Sequence, residues 1–458
     1  YDYVNNPRNE APMARAFAFH MFLGFNVSSA LVNLTQTFQA TYPVLGAITG
    51  LGSGGVYVAK ALKDSSALYG KMLGSKDKPS VGEYGFSFFK TETAPDGTVS
   101  VEVDMDKKPN SVTEEEYRYL AELFRTGVIQ PIQNIDLGAA RLQELDVRRG
   151  VAPVLNASGY AFGVIENTNR IAAALAFYRA AKDPKNRKNF EAFVSGTRFG
   201  DQDISGLDTE DFAKLMGTMG VEKTQFFMGQ ENRPAIMQGP VMSVVTQFQS
   251  FLYQMVGMYG DALFKSLNGR MDTIPEALRP AARKIAMKQL AAMTLSMMAF
   301  GGAMGLPFME NLKEIIKFFT EQFGDQVGED FEEELRVTLG DTMGYTATDA
   351  LLRGIPRMLG ADVSRRTGYG DVVPLRLLMG GDPVDFAGPA VSRAVDMIKG
   401  TKEAYDNNDL LGAAVGIMPI AARNAYDALV KEPSVGTFTA RGQQLLPAGS
   451  LSGTEPVS

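Results

Sequence analysis

Most of the chain carries apolar residues at the three- and four-residue spacing that is typical of amphipathic helices. Thr113 precedes one such segment and is predicted to cap it. The fold predicted from this pattern is mainly α, an elongated assembly of many helices. The pattern predicts helices at 114–125, 137–149, 160–181, 189–193, 209–216, 242–267, 275–299, 311–323, 330–339, 387–399, 410–418 and 420–430.

One region alternates with a period of two residues instead. Residues 84–91 (YGFSFFKT) and 99–104 (VSVEVD) are separated by Ala94-Pro95-Asp96-Gly97, a strong turn signal. We therefore predict one small β-hairpin near residues 84–104. An isolated hairpin is marginally stable in water, so this one is expected to pack on a partner element.

The chain is too long for one hydrophobic core, because single cores rarely grow beyond about 250–300 residues. It begins at Tyr1, so we expect a processed chain or the ordered part of a longer one. The sequence predicts a charge-poor helical region at 1–75, a hairpin insertion at 76–110, a helical module at 111–232, a Met-rich helical module at 233–345, and a C-terminal helical module with a mobile tail at 346–458.

Three long stretches lack Asp, Glu, Lys and Arg: 16–59, 234–260 and 290–309. The third holds 20 residues, a length that can span a bilayer, and it contains Gly301 and Gly305 at the spacing of close helix packing. Three interpretations stay open: a buried core or subunit interface, conditional membrane contact, and a transmembrane span. Polar residues inside the first stretch favour burial; they include Asn26, Asn33, Gln36 and Gln39.

The chain holds 23 Met residues, many of them within or beside the second and third charge-free stretches. A Met-rich core is one interpretation. A surface that repacks in two environments is the other, because the unbranched thioether side chain adapts to different partners.

The composition excludes several kinds of chemistry. With no Cys there is no disulfide, thiolate nucleophile or iron–sulfur cluster, and the single His20 excludes a cluster of imidazole metal ligands. His20 lies in an apolar stretch, which favours packing over catalysis.

The net charge of −7 gives the chain no overall positive charge with which to bind nucleic acid. The short basic runs 182–188 and 364–366 are typical of solvated helix ends or loops. We predict no catalytic residues, no metal site, no cofactor and no enzymatic activity.

Three motifs in the sequence bear on this expectation. Residues 50–55 fit the dinucleotide-binding pattern of glycines, but Asp64 follows too early and no βαβ alternation appears, so a glycine helix break or close helix packing is preferred. Residues 201–206 begin like a calcium loop, but Phe212 stands where a bidentate Glu belongs, which favours an acidic loop and a helix capped near Asp208. The carboxylates at 332–334, with Arg336 as partner, indicate a solvated helix face.

Three phrases resemble segments of the large internal virion proteins of short-tailed bacteriophages, in the C-terminal-type region of a larger chain. The first is 24–36 (GFNVSSALVNLTQ) followed by Thr41-Tyr42-Pro43. The second is Glu166-Asn167-Thr168-Asn169-Arg170 before an alanine-rich helix. The third is 352–371 (LRGIPRMLGADVSRRTGYGD).

This resemblance implies a capsid-interior protein that is ejected with the genome and helps to build a conduit across the host envelope. The implied partners are further copies of the chain around the tail axis, other internal virion, portal or tail proteins, packaged DNA bound weakly, and the host inner membrane after ejection. An enzyme of unrecognised chemistry and a DNA-contacting core protein are the alternatives.

The residues that the resemblance singles out have structural roles. Asn26, Ser29 and Asn33 are expected on a helix that carries several polar residues among apolar ones. Glu166 and Arg170 are expected to form an ion pair four residues apart, with the acid in the favourable N-terminal position. Gly354, Pro356 and Gly360 are expected to shape a turn.

Overall fold

The computed structural model describes residues 33–73, 88–93, 99–129, 152–195, 197, 199, 204–225, 250–269, 271–303, 336, 344–355, 398–399, 401–402, 437–438 and 444–446. They fall into two compact units. The first takes its described residues from 33–225 and 258–293, and the second from 250–257 and 294–446.

The described residues confirm a mainly α fold with a small β-hairpin, and most of them are helical. The helices are α1 (Tyr42–Thr49), α2 (Leu51–Leu73), α3 (Glu114–Arg125), α4 (Ala152–Lys182), α5 (Arg187–Val194), α6 (Thr209–Thr224), α7 (Ser250–Ser266), α8 (Arg279–Gly301) and α9 (Tyr345–Arg353). The strands are β1 (Phe89–Thr93), β2 (Val99–Val103), β3 (Thr437–Phe438) and β4 (Gln444–Leu446), paired as β1–β2 and β3–β4.

The long helix α4 forms the centre of the first unit. Every residue from 167 to 178 is buried, so the helix has no solvent face along three turns. Helices α2 and α6 make the most extensive contacts with it, and α3, α5 and the segment that leads into α1 also contact it. A helix surrounded in this way needs small or apolar residues on all sides, which the alanine-rich stretch 172–176 supplies.

Glycines control how α1 meets α2. Gly50 ends α1 with a φ of +99°, a conformation that glycine adopts without steric cost, and α2 begins at the next residue. Gly54 then lies against Gly46, where an added Cβ would sit 2.5 Å from the Gly46 Cα atom. The glycine cluster at 50–55 therefore serves as a helix break and a close helix contact, as the sequence predicts.

Helix α3 begins as predicted. The Thr113 hydroxyl accepts a hydrogen bond from the Glu116 backbone N–H, and the Glu116 carboxylate accepts one from the Thr113 N–H. This reciprocal capping box satisfies two of the free N–H groups at the helix start.

The predicted hairpin exists and packs on α3. Strands β1 and β2 pair antiparallel, with Phe89 opposite Val103. The buried Phe88 ring lies 5.2 Å from the Tyr117 ring and 5.5 Å from the Phe124 ring. The Tyr117 hydroxyl also donates to the Asp104 carbonyl, just after β2. These contacts supply the partner that a two-stranded hairpin requires.

Several helix bounds differ from the predicted ones for identifiable reasons. Helix α4 begins at Ala152 rather than at residue 160. Helix α6 continues past Met216 to Thr224, because Met219 and Val221 are also buried. Helix α8 begins at Arg279 rather than 275, since a 3₁₀ turn (Glu276–Leu278) precedes it.

In the second unit, glycines again shape the ends of helices. Gly302 and Gly354 both have positive φ, and the two ends meet closely: a Cβ on Gly302 would collide with the Leu352 backbone, and one on Gly354 with the Phe300 backbone. Gly354 thus shapes a turn, as predicted. Arg336 forms an ion pair with Asp349 at 2.6 Å.

Some predictions lie outside the described residues. They concern the helices at 137–149, 311–323, 410–418 and 420–430, the carboxylates at 332–334, and the residues His20, Asn26, Ser29, Gly305, Pro356 and Gly360. The five-part domain division stays a prediction. The short β3–β4 pair adds to the single predicted hairpin.

Candidate functional site

A buried polar layer joins three separate parts of the first unit. The Thr37 hydroxyl donates to Asn169 Oδ1 at 2.9 Å, and Asn169 Nδ2 donates to the Asn33 carbonyl at 2.8 Å. Thr37 lies in a π-helical segment (Thr37–Thr41) that leads into α1. Asn169 lies on the enclosed part of α4, and neither Thr37 nor Asn169 exposes any surface to solvent.

The same layer reaches the end of α6. Gln225 Nε2 donates to the Thr41 hydroxyl, and the Thr224 hydroxyl donates to the Gly220 carbonyl. The Thr41 and Thr224 hydroxyl oxygens are 3.0 Å apart. Because the Thr224 proton goes to a carbonyl, Thr41 is the donor between the two, and the bonds run in one direction. Gln36 adds a bond from Nε2 to the Thr224 carbonyl.

Glu166 and Arg170 form the predicted ion pair on α4. Arg170 Nη2 lies 2.8 Å from Glu166 Oε1, and the Arg170 side chain is 2% exposed. Arg170 Nη1 also donates to the Val128 carbonyl, which follows α3. A buried guanidinium is costly unless its donors are satisfied, so this residue fixes the path of the chain beside α4.

Asn167, between them in sequence, points to α2. Its Nδ2 donates to the Tyr69 hydroxyl at 3.0 Å. Its Oδ1 and the Asn33 Nδ2 are buried atoms without a hydrogen-bond partner. Among the described residues, the layer therefore retains one acceptor and one donor that no other group bonds, and burial of such a group costs stability.

A second buried cluster joins α2, α3 and α4. Arg179 donates to Asp64 Oδ2 at 2.6 Å and to both Glu116 carboxylate oxygens at 2.6 and 3.0 Å. Burial opposes the charge of the guanidinium, but the hydrogen bonds that it donates to the Glu116 and Asp64 carboxylates outweigh this effect and raise the pKa of Arg179. Glu116 thus serves both the capping box of α3 and this cluster.

A third group links α4 to α6 nearer the surface. Glu210 accepts from the Tyr178 hydroxyl at 2.6 Å and pairs with Lys182 Nζ at 2.8 Å. Burial acts to raise the pKa of Glu210, but the bonds from Lys182 and Tyr178 outweigh it and hold the pKa below its usual value. Burial and the Glu210 contact raise the pKa of Tyr178.

These groups have the character of fold determinants. Each group bonds to neighbours on other elements, and none is a nucleophile beside a base at the mouth of a cleft. Within the ranges that the structure describes, no cluster of three or more His, Cys, Asp or Glu side chains could hold a metal ion. None of the described helices is long and apolar enough to cross a membrane.

The structure brings together some predicted residues and leaves others apart. Glu166, Arg170 and the Asn33 carbonyl lie in or beside the polar layer. Asp208 caps α6 by accepting from the Asp211 N–H at 2.8 Å, as predicted. Gly354 lies in the second unit. The calcium alternative at 201–206 lies largely outside the described residues.

Sequence reasoning missed the partners of the layer. Thr37, Thr41, Asn169 and Thr224 are ordinary polar residues within apolar helical segments, and their pairing spans more than 130 positions of the chain. The one signal was their presence inside otherwise apolar, charge-free sequence, since buried polar groups in helices are normally hydrogen-bonded.

Comparisons with protein-family models, with curated proteins and with solved structures each find no match to this chain.

Proposed function

We propose that the chain is a structural internal virion protein of a tailed bacteriophage, which assembles around the tail axis and helps to form a conduit for genome delivery across the host envelope. One observation carries the proposal. Two of the segments on which the resemblance rests contact each other in the buried polar layer, because Asn169 Nδ2 in the second donates to the Asn33 carbonyl in the first.

This contact supports a structural role because the polar residues of the second segment hold neighbouring parts of the fold together. Glu166, Asn167, Thr168 and Asn169 each have a side-chain hydrogen bond, and Arg170 bonds both to Glu166 on its own helix and to the Val128 carbonyl after α3. Residues that specify how helices pack are the ones an architectural protein needs to keep. A shared catalytic centre would instead gather such residues at an open cleft.

The composition adds a physical argument. A protein that passes through a narrow tail has to unfold and refold, and a chain without Cys cannot be trapped by wrong disulfides in an oxidising compartment. Helical folds also rely on local contacts, which form quickly.

The test is the assembly state of the chain. We expect the purified protein to form closed oligomers, measured by light scattering and native mass spectrometry and seen as rings by negative-stain electron microscopy. Mass spectrometry of phage particles should find the chain inside the virion. A chain that stays a compact monomer and is missing from particles contradicts the proposal.

A further inference from the structure

The turn between α7 and α8 exposes large apolar side chains in the first unit. Leu267 is 71% exposed, Met287 54%, Phe264 53% and Leu263 38%. We call these four residues the apolar tip. Exposed apolar residues are normal when scattered singly, but Leu263, Phe264 and Leu267 lie within five positions at the end of α7, a grouping that is characteristic of an interaction site. Met287 lies on α8, one helical turn beyond the Arg283 that bonds to the end of α7.

The tip is held in place by hydrogen bonds. Asn268 has a φ of +65°, and the next residue, Gly269, donates its N–H to the Phe264 carbonyl at 2.7 Å, which closes the end of α7. Arg283 Nε donates to the Ser266 carbonyl at 3.0 Å and thereby fixes α8 against this end. The apolar residues are therefore presented by a defined turn.

Arg283 and Met287 lie four residues apart and share one exposed side of α8. The opposite side of α8 is buried through Ala282, Ile285 and Ala286. The tip thus combines the outward side of α7 near its end with the outward side of α8 near its start.

Basic residues accompany the tip. Residues 279–288 contain Arg279, Arg283, Lys284 and Lys288 and no acid. Arg283 and Lys284 are exposed, and no described carboxylate pairs with Lys284 or Lys288. This segment is cationic within a chain of net charge −7.

The acidic groups nearby are few. Asp261 on α7 pairs with Lys265 at 2.9 Å, and Asp272 and Glu276 are exposed in the connection between the helices. Residues 261–288 hold six basic and three acidic residues, so the connection reduces the positive charge without cancelling it.

We propose that the apolar tip, with Arg283, Lys284 and Lys288, binds the surface of an anionic lipid bilayer. Leu and Phe side chains enter the boundary between headgroups and acyl chains, while Lys and Arg contact the phosphates. Charge complementarity favours this occupant over a second copy of the chain. A symmetric pair of tips would bring the same cations of both copies together. The inference rests on the proposed function for its setting, because a conduit protein reaches the host envelope.

The experiment is flotation of the full chain with vesicles of phosphatidylcholine, alone or mixed with phosphatidylglycerol. We expect binding to the anionic vesicles only, and weaker binding at high salt because ions screen surface charge. Lys284→Glu together with Lys288→Glu should weaken binding by at least about five-fold for each lysine removed. Leu267→Ser should also reduce it.

Matched controls come from α2. Lys60→Glu together with Lys63→Glu changes the charge equally at exposed positions, and Val56→Ser removes an apolar side chain of comparable exposure. Both controls should bind like the unmodified chain. Equal binding to both kinds of vesicle, or tip variants that bind normally, would overturn the inference. Variants that lose self-association but keep vesicle binding would assign the tip to a second copy and overturn it as well.

The proposed function and the inference of lipid binding can be contradicted independently of each other. If the chain forms rings but does not bind anionic vesicles, the proposed function is supported and this inference is contradicted. If the chain is a monomer that binds anionic vesicles through the apolar tip, this inference is supported and the proposed function is contradicted.

Discussion

Gly54 on α2 lies directly against Gly46 on α1, so closely that an added Cβ would sit 2.5 Å from the Gly46 Cα atom and 2.7 Å from its nitrogen. Real Cβ atoms do not approach backbone to this distance, so the two helices are held at a separation that only glycine permits. The contact depends on backbone atoms, which cannot rotate away as a long side chain could.

We therefore expect Gly54→Ala to lower the free energy of unfolding by about 1–3 kcal/mol, because the helices have to separate. Gly70→Ala is the matched control within α2. It has no heavy atom within 4 Å of the new Cβ, so it should raise stability by about 0.5–1 kcal/mol through helix propensity. Urea unfolding followed by circular dichroism measures both. A neutral Gly54→Ala would show that α1 and α2 shift freely.

The polar layer should show energetic coupling. Thr37→Val leaves Asn169 Oδ1 without its donor in the dry interior, so we expect a loss of about 1–3 kcal/mol in unfolding free energy. Thr126→Val, at an exposed position after α3, should cost less than about 0.5 kcal/mol.

A double-mutant cycle with Asn169→Ala tests the coupling directly. The double variant should lose less than the sum of the two single losses, by about 0.5–3 kcal/mol, because the shared bond is removed once. Strict additivity would indicate that the two side chains do not act as a pair.

The local parts of this architecture were predictable from sequence. Thr113 and Glu116 stand at capping-box spacing, and Glu166 and Arg170 stand four apart on one helix, so each pair is decided by neighbours in the chain. Their geometry follows the predictions.

The long-range parts were not predictable. Arg179 meets Asp64 across 115 positions and Thr41 meets Thr224 across 183. Periodicity indicates which side of a helix is apolar, but it does not say which helix covers that side. On α4, where residues 167–178 are all buried, there is no polar side to orient the prediction at all.

Arg179→Met should be among the most destabilising single changes. It leaves the Asp64 and Glu116 carboxylates buried beside each other without their cation, and we expect a loss of about 3–5 kcal/mol. Arg118→Met removes a pair with Glu114 whose side chains are 59% and 60% exposed, and it should cost no more than about 1 kcal/mol. Thermal and urea unfolding give the comparison.

Neutralising both carboxylates tests whether their uncompensated charge causes the loss of stability. Adding Asp64→Asn and Glu116→Gln to Arg179→Met should recover part of the lost stability, because the uncompensated charges are then gone. If the triple variant is no more stable than the single one, uncompensated carboxylate charge does not explain the loss.

Glu210 should contribute stability that depends on pH. Its pKa is lowered in the folded chain, so its contribution is fully present above the unfolded value near 4.5 and disappears as the pH falls through the lower folded pKa. The difference in unfolding free energy between the unmodified chain and Glu210→Gln should therefore shrink on acidification below about pH 4.5.

Urea titrations at successive pH values measure that difference, with Glu122→Gln, at an exposed position of α3, as the control for a change in net charge. A difference that stays constant down to strong acid would mean that the Lys182 and Tyr178 contacts do not hold the carboxylate ionised.

The enclosure of α4 also fixes the order in which the first unit can come apart. Amides in 167–178 can exchange with solvent only after α2 or α6 has left, so they should be the slowest to exchange in deuterated water. A force that extends this chain therefore cannot expose residues 167–178 to water without first displacing the helices that cover them.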